Sequence, residues 1–94
     1  VGRSATMRSR VLVRGRVQGV GFRYWTRREA AALGLTGYVR NTASGLVEAE
    51  VEGESGAVAV MIDKFQSGPP HARVDHVDVH TVPTTGAGGF AITD

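Results

Sequence analysis

The segment Val17-Gln18-Gly19-Val20-Gly21-Phe22-Arg23 carries the residue types best suited to chemistry in this chain. Gly19 and Gly21 admit positive φ and the close approach of a ligand. Successive N–H groups can then turn inward as an anion-binding nest. A helix expected to begin near Phe22 would add its free N–H groups and the positive end of its dipole. Arg23 would lie in the first helical turn, where its fork can hold two phosphate oxygens. Loop, helix start and arginine together suit a tetrahedral dianion better than a planar carboxylate. The glycines taken alone would serve a tight turn equally well.

Three better-known phosphate loops do not fit. No Lys-Ser or Lys-Thr follows the glycines, so this is not a Walker loop. Tyr24 stands where a dinucleotide fingerprint needs its third glycine. The loop resembles in shape that of cysteine phosphatases, but Val17 occupies the nucleophile position and the chain has no cysteine. A thiol phosphoenzyme is therefore impossible.

The elements that must position this loop follow from hydrophobic spacing. Met7 to Arg16 reads as a strand, with Val11 and Val13 on one face and Arg10, Leu12 and Arg14 on the other. Phe22, Trp25, Thr26, Ala30 and Leu33 fall on one side of a helix, and Gly34 sits where a capping glycine belongs. Leu35 to Asn41 is a second strand, followed by a turn at residues 42–45. Leu46 to Glu52 alternates most cleanly, with Val47, Ala49 and Val51 opposite Glu48, Glu50 and Glu52. Gly53 to Gly56 is expected to break that strand, with Ser55 capping a second helix that carries Val58, Met61, Ile62 and Phe65. Gly68-Pro69-Pro70 stops that helix. Val74 to Val82 forms another strand with Val77 and Val79 inward, and residues 90–92 form a short terminal one.

The order strand, helix, strand, strand, helix, strand is the split βαβ arrangement of a ferredoxin-like α+β sandwich. The crossover rule predicts an antiparallel sheet ordered 4-1-3-2 with both helices on one face. Its other face, bearing Glu48, Glu50 and Glu52, is expected to be open and solvated. The first and second strands then run in the same direction, two strand spacings or roughly 9–10 Å apart. Their C-terminal ends share one end of the sheet. The glycine loop, Arg23 and Asn41 should therefore border one shallow site.

Bulk properties limit the alternatives. The 94 residues fit one small domain, here residues 8–94, with residues 1–7 read as a flexible extension and Met7 as a possible native start. With 41% hydrophobic and 21% charged residues the chain is an ordinary globular one. The lack of cysteine excludes a disulfide scaffold and fits a cytoplasmic protein. No apolar run reaches the roughly 20 residues of a membrane span. Arginines crowd the first third of the chain, which suits an anionic partner.

The motifs also carry a family resemblance. Gly15-Arg16-Val17-Gln18-Gly19-Val20-Gly21-Phe22-Arg23 resembles the signature of the acylphosphatases. Gly37-Tyr38-Val39-Arg40-Asn41 resembles their second motif, followed by a glycine turn and Gly45-Leu46-Val47-Glu48. Gly88-Gly89-Phe90 resembles their C-terminal end, and the likeness covers Arg8 to Ile92 in order. Tyr38 stands where tryptophan is common and Ser44 where aspartate is common. The resemblance implies hydrolysis of a carboxylic–phosphoric anhydride to carboxylate and phosphate. It implies Arg23 as the phosphate-binding catalytic residue and Asn41 as the residue that orients the attacking water. Val17, Gln18, Gly19, Val20, Gly21, Phe22 and Arg23 would bind the phosphoryl group, with Thr42 in a secondary contact. The expected partner is a small acyl phosphate, with phosphate or sulfate as a bound anion and no nucleic acid or membrane. No cofactor or metal is expected, and the chain is expected to be a monomer.

Other residue patterns read less sharply. His76, Asp78 and His80 share one strand face and could suit a metal, but nothing closes the coordination, and a polar exposed face explains them. An RNA-binding module of the same fold would need aromatics on its central strands, which Val11, Leu12, Val13 and residues 46–52 do not supply. A non-catalytic module that binds acyl or carbamoyl phosphate is the remaining alternative. The presence of both Arg23 and Asn41 favours a free-standing enzyme.

Overall fold

The computed structural model describes residues 5–93. Along the chain lie β1 (Thr6–Arg16), α1 (Phe22–Ala32), β2 (Thr36–Asn41), β3 (Val47–Glu54), α2 (Ser55–Ser67), β4 (Arg73–Val82) and β5 (Phe90–Thr93). The sheet order is β4-β1-β3-β2-β5. This contains the expected 4-1-3-2 arrangement of a ferredoxin-like fold. The sheet is mixed, however, because β5 adds to the outer edge of β2 in parallel. Thr6 and Met7, assigned to the extension on sequence grounds, pair with Glu54 and Gly53. The first four residues of that extension lie outside the described residues.

Both helices form because their apolar residues recur at helical spacing and can be buried together. Phe22, Thr26 and Ala30 of α1 and Val58, Met61 and Phe65 of α2 are buried. They meet Val11, Val13, Val39, Val47, Ala49 and Val51 from the inner face of the sheet. Phe22 stacks on Phe65 with ring centroids 6.1 Å apart, and Trp25 meets both rings edge-on. The end of α1 is closed as expected by Gly34, at φ 72°. There Leu35 N–H donates to the Ala30 carbonyl and Gly34 N–H to the Ala31 carbonyl. No helix among the described residues is long and apolar enough to cross a membrane.

Three local expectations need correction. Gly53 does not break β3, and the strand runs directly into α2. A Cβ on Gly53 would come within 2.7 Å of Leu35 Cδ2, so close packing explains the glycine. Ser55 is the first helical residue rather than the cap, because Glu54, still extended at ψ 136°, takes the cap position; Ser55 N–H donates to the Ala5 carbonyl at 2.8 Å. Val79 is 40% exposed despite pairing with the buried Val11. It lies on the edge strand, and the two helices do not fully cover it.

The largest correction concerns the second face of the sheet. Glu50 and Glu52 are buried there, not solvated, and so is Arg8. Arg8 donates to Glu50 at 2.6 Å and to Glu52 at 3.0 Å. Arg10 holds the other Glu50 oxygen at 2.9 Å. Tyr38 donates to Glu48 at 2.6 Å, and Arg40 pairs with the same carboxylate. The segment between β4 and β5 reaches this face, where Glu52 accepts N–H bonds from Thr85 at 2.8 Å and Gly86 at 3.0 Å. Those two N–H groups hold the Glu52 carboxyl down to about 2, with Arg8 adding to the effect. Burial opposes ionisation of Glu50, yet Arg8, Arg10 and Tyr38 keep its carboxyl below the ordinary carboxylate range. Burial first, then the Glu48 carboxylate, push the Tyr38 phenol upward. Glu48, Glu50 and Glu52 are thus matched by Arg8, Arg10 and Arg40. The face has balanced charge, not the net negative charge that the row of glutamates alone implied.

Candidate active site

The site lies where β1 outruns its partner. Val13, Val47 and Asn41 form the last row shared by β1, β3 and β2. Beyond it, Arg14 to Arg16 pair with β4 alone, with an irregularity at Gly15. A Cβ on Gly15 would lie 2.1 Å from the Arg73 carbonyl oxygen, so only glycine fits this approach of the two strands. The chain after Arg16 is then free to turn across the end of β3 towards β2.

The loop is anchored from within. Val17 is 1% exposed and Phe22 2%, so the two ends of the loop are fixed in the core. Gly19 and Gly21 between them are exposed. Their φ angles of 73° and 78° lie in the left-handed region. A Cβ at either position would meet nothing within 4 Å, so conformation rather than crowding calls for glycine. Val20 packs partly against the core. Gly21 is the N-cap of α1 and supplies no side-chain bond to the first turn. That turn also lacks acidic residues, so its N–H groups keep their preference for an anion. Arg23 is half-buried in the same turn.

The structure brings the second expected group to this place. Gln18 Nε2 donates to the Thr42 carbonyl at 3.0 Å and to the Leu46 carbonyl at 2.9 Å. The glycine loop is thereby tied to the turn that follows Asn41. Thr42 Oγ1 accepts from Leu46 N–H at 3.0 Å and lies 3.0 Å from Ser44 Oγ. Asn41 shares the helix-covered side of the sheet with Val39 and Val47. Its Oδ1 is buried and accepts no hydrogen bond from a described residue. Tyr38 belongs to the opposite face, bonded to Glu48, and does not enter the site.

Some candidates do not assemble. His76 pairs with Asp78 at 2.9 Å on the exposed outer strand, and no group of three metal-binding side chains exists among the described residues. The sequence named Gln18 among the phosphoryl-binding residues and Thr42 as a secondary contact, but gave no sign that the Gln18 side chain would reach the Thr42 and Leu46 carbonyls. Strand register supplies that contact, and no local residue pattern encodes it.

Comparison with known proteins places this geometry. The acylphosphatase family model matches residues 9–92. An acylphosphatase from Rubrobacter xylanophilus is 52% identical over 88 residues, covering 93% of this chain and 80% of the relative. The crystal structure of an acylphosphatase from Bacillus subtilis superposes with a TM-score of 0.90 at 35% identity, covering 94% of this chain and 99% of the other. Full-length HypF, solved in a phosphate- and nucleotide-bound form, contains a similar domain with a TM-score of 0.89 and 31% identity. It spans 99% of this chain but only 12% of HypF. The match over nearly the whole described chain is decisive: this chain belongs to the acylphosphatase family, whose members hydrolyse acyl phosphates.

Proposed function

We propose that Arg23 and the loop N–H groups of residues 17–22 hold the phosphoryl group while Asn41 orients the water that attacks it. The observation that carries this reading is the Gln18 bridge, which joins an uncapped, glycine-shaped helix start to the turn after Asn41. Phosphoryl transfer asks a protein mainly for positioning and charge stabilisation. Arg23 and the N–H groups face the phosphoryl oxygens, where negative charge must be stabilised. Asn41 Oδ1 has no protein partner among the described residues, so the amide keeps hydrogen-bonding capacity that a water at the site could use. The amide can orient that water but cannot take its proton.

The bonds balance without a general acid. The water oxygen bonds to phosphorus, the bond from phosphorus to the carboxylate oxygen breaks, and the carboxylate leaves with the electron pair. A phosphoryl oxygen of the substrate accepts the water proton. Altering that oxygen's basicity should change the rate, and an unchanged rate would count against this proton route. Inorganic phosphate is the product and the anion expected to occupy the loop. The lack of cysteine in this sequence is compatible with a cytoplasmic setting.

Hydrolysis of benzoyl phosphate tests the roles. Arg23→Ala should lower kcat/KM by about a thousandfold or more, the scale of a lost transition-state arginine. Asn41→Ala should lower kcat by about a hundredfold while phosphate still binds, since one positioning group is removed. Wild-type rates in Asn41→Ala would end its water-orienting role without touching that of Arg23. A second reading is binding of an acyl or carbamoyl phosphate without turnover; what favours it is that a similar domain forms 12% of the larger HypF, solved in a phosphate- and nucleotide-bound form. Multiple turnovers by the wild-type chain exclude it.

A further inference from the structure

We infer that Gln18 is a positioning residue that sets the distance between the phosphate loop and Asn41, acting through its side-chain amide. The inference rests on the proposed roles of Arg23 and Asn41. Covalently, these two residues are joined only through the whole of α1 and β2. The Gln18 amide bridges their two segments directly, across 24 and 28 positions of sequence. Its assignment is chemically fixed. An amide oxygen turned towards two carbonyl oxygens would meet only repulsion, so the NH2 group must face them.

Neither segment needs this bridge to keep its own shape. The Thr42 carbonyl already accepts from Gly45 N–H at 3.2 Å, and the Leu46 carbonyl from Thr42 N–H at 2.9 Å. Leu46 N–H is satisfied by Thr42 Oγ1. The turn is thus closed by its own bonds, and Gln18 uses the second acceptor position on each carbonyl. On the other side, Val17 and Phe22 hold the loop through core packing. Removing the amide therefore orphans neither carbonyl. What it releases is the relative position of two separately folded pieces.

That position matters in one direction of the chemistry more than the other. The phosphoryl group is held entirely from the loop and the start of α1. The attacking water is held from the end of β2. A displacement between the two leaves phosphate binding intact and moves the water out of line. Misplacement of about 1 Å can cost on the order of a hundredfold in rate.

The test uses Gln18→Met, which keeps length but removes the donors, and Gln18→Glu, which sets a carboxylate against the two carbonyls. Each is assayed with benzoyl phosphate, alone and combined with Asn41→Ala, at a temperature where melting curves show it folded. Both single variants should lose about tenfold or more in kcat; in Gln18→Met, which adds no charge to the loop, the inhibition constant for inorganic phosphate should stay within about twofold of wild type. In the Asn41→Ala background, Gln18→Met should change kcat by less than about twofold, because the group it positions is gone. An unchanged kcat in the single variants overturns the inference. So does an equal fractional loss in the Asn41→Ala background. In Gln18→Met, a phosphate inhibition constant that rises in parallel with the loss of kcat also overturns it, since Gln18 would then shape the phosphate loop itself. If Asn41→Ala alone keeps the wild-type kcat, the water-orienting role fails first and the inference falls with it.

Discussion

Replacing Arg8 with methionine probes the least expected feature of this protein, the buried charge layer beneath its sheet. The Arg8 side chain is 6% exposed, and its partners Glu50 and Glu52 are 10% and 6% exposed. Methionine roughly keeps the apolar stem but removes the guanidinium. Breaking a buried pair by deleting one partner costs about 3–5 kcal/mol. The lower end applies here, because neither carboxylate is left bare. Glu50 keeps Arg10 at 2.9 Å and Tyr38 at 3.1 Å. Glu52 keeps the Thr85 and Gly86 N–H groups. A loss of about 3 kcal/mol is substantial for a domain of this size, whose total stability is of the order of 5–14 kcal/mol. It corresponds to a fall in Tm of about 12–24 °C. Urea unfolding followed by circular dichroism and Trp25 fluorescence measures it, with the m-value checking that the unfolding reaction is the same. A loss under about 1 kcal/mol, the range of exposed pairs, would refute the burial argument.

Two further predictions concern the same sheet. Ser9 Oγ is buried on the core side without a hydrogen-bond partner among the described residues. Ser9→Ala should therefore raise stability, by about 1 kcal/mol in urea titration, and a clear loss would mean that the hydroxyl is satisfied. The Glu52 carboxyl titrates at about 2 in the folded protein, against an ordinary value of 4.5. Its contribution to stability is full above the unfolded value and is lost as pH falls from about 4.5 towards about 2. Glu52→Gln should flatten the decline of Tm between pH 5 and pH 2, and an unaltered slope would remove Glu52 from the acid response.

Much of the site could be read from neighbouring residues alone. Glycine at 19, 21 and 34 reports a backbone demand made within a few residues, and all three have positive φ. Phe22, Thr26 and Ala30 reveal the buried stripe of α1 because helical periodicity repeats over one or two turns. The placement of Asn41 at the loop end followed from topology, since two strands separated by a third and running the same way must finish at the same end. The path of the chain between β4 and β5 was not readable, and with it went the parallel addition of β5 and the covering of Glu52.

The sequence by itself determined the fold class, the family and the glycine-shaped loop at the start of α1. These depend on short-range periodicity, backbone preferences and two contiguous motifs. Tertiary structure alone decided that Glu50 and Glu52 are buried and that Gln18 reaches the far side of the site. Alternation with period two tells which side of a sheet a residue faces, but not what will cover that side. Likewise a glutamine in a loop announces two N–H donors, but strand register selects the carbonyls that receive them.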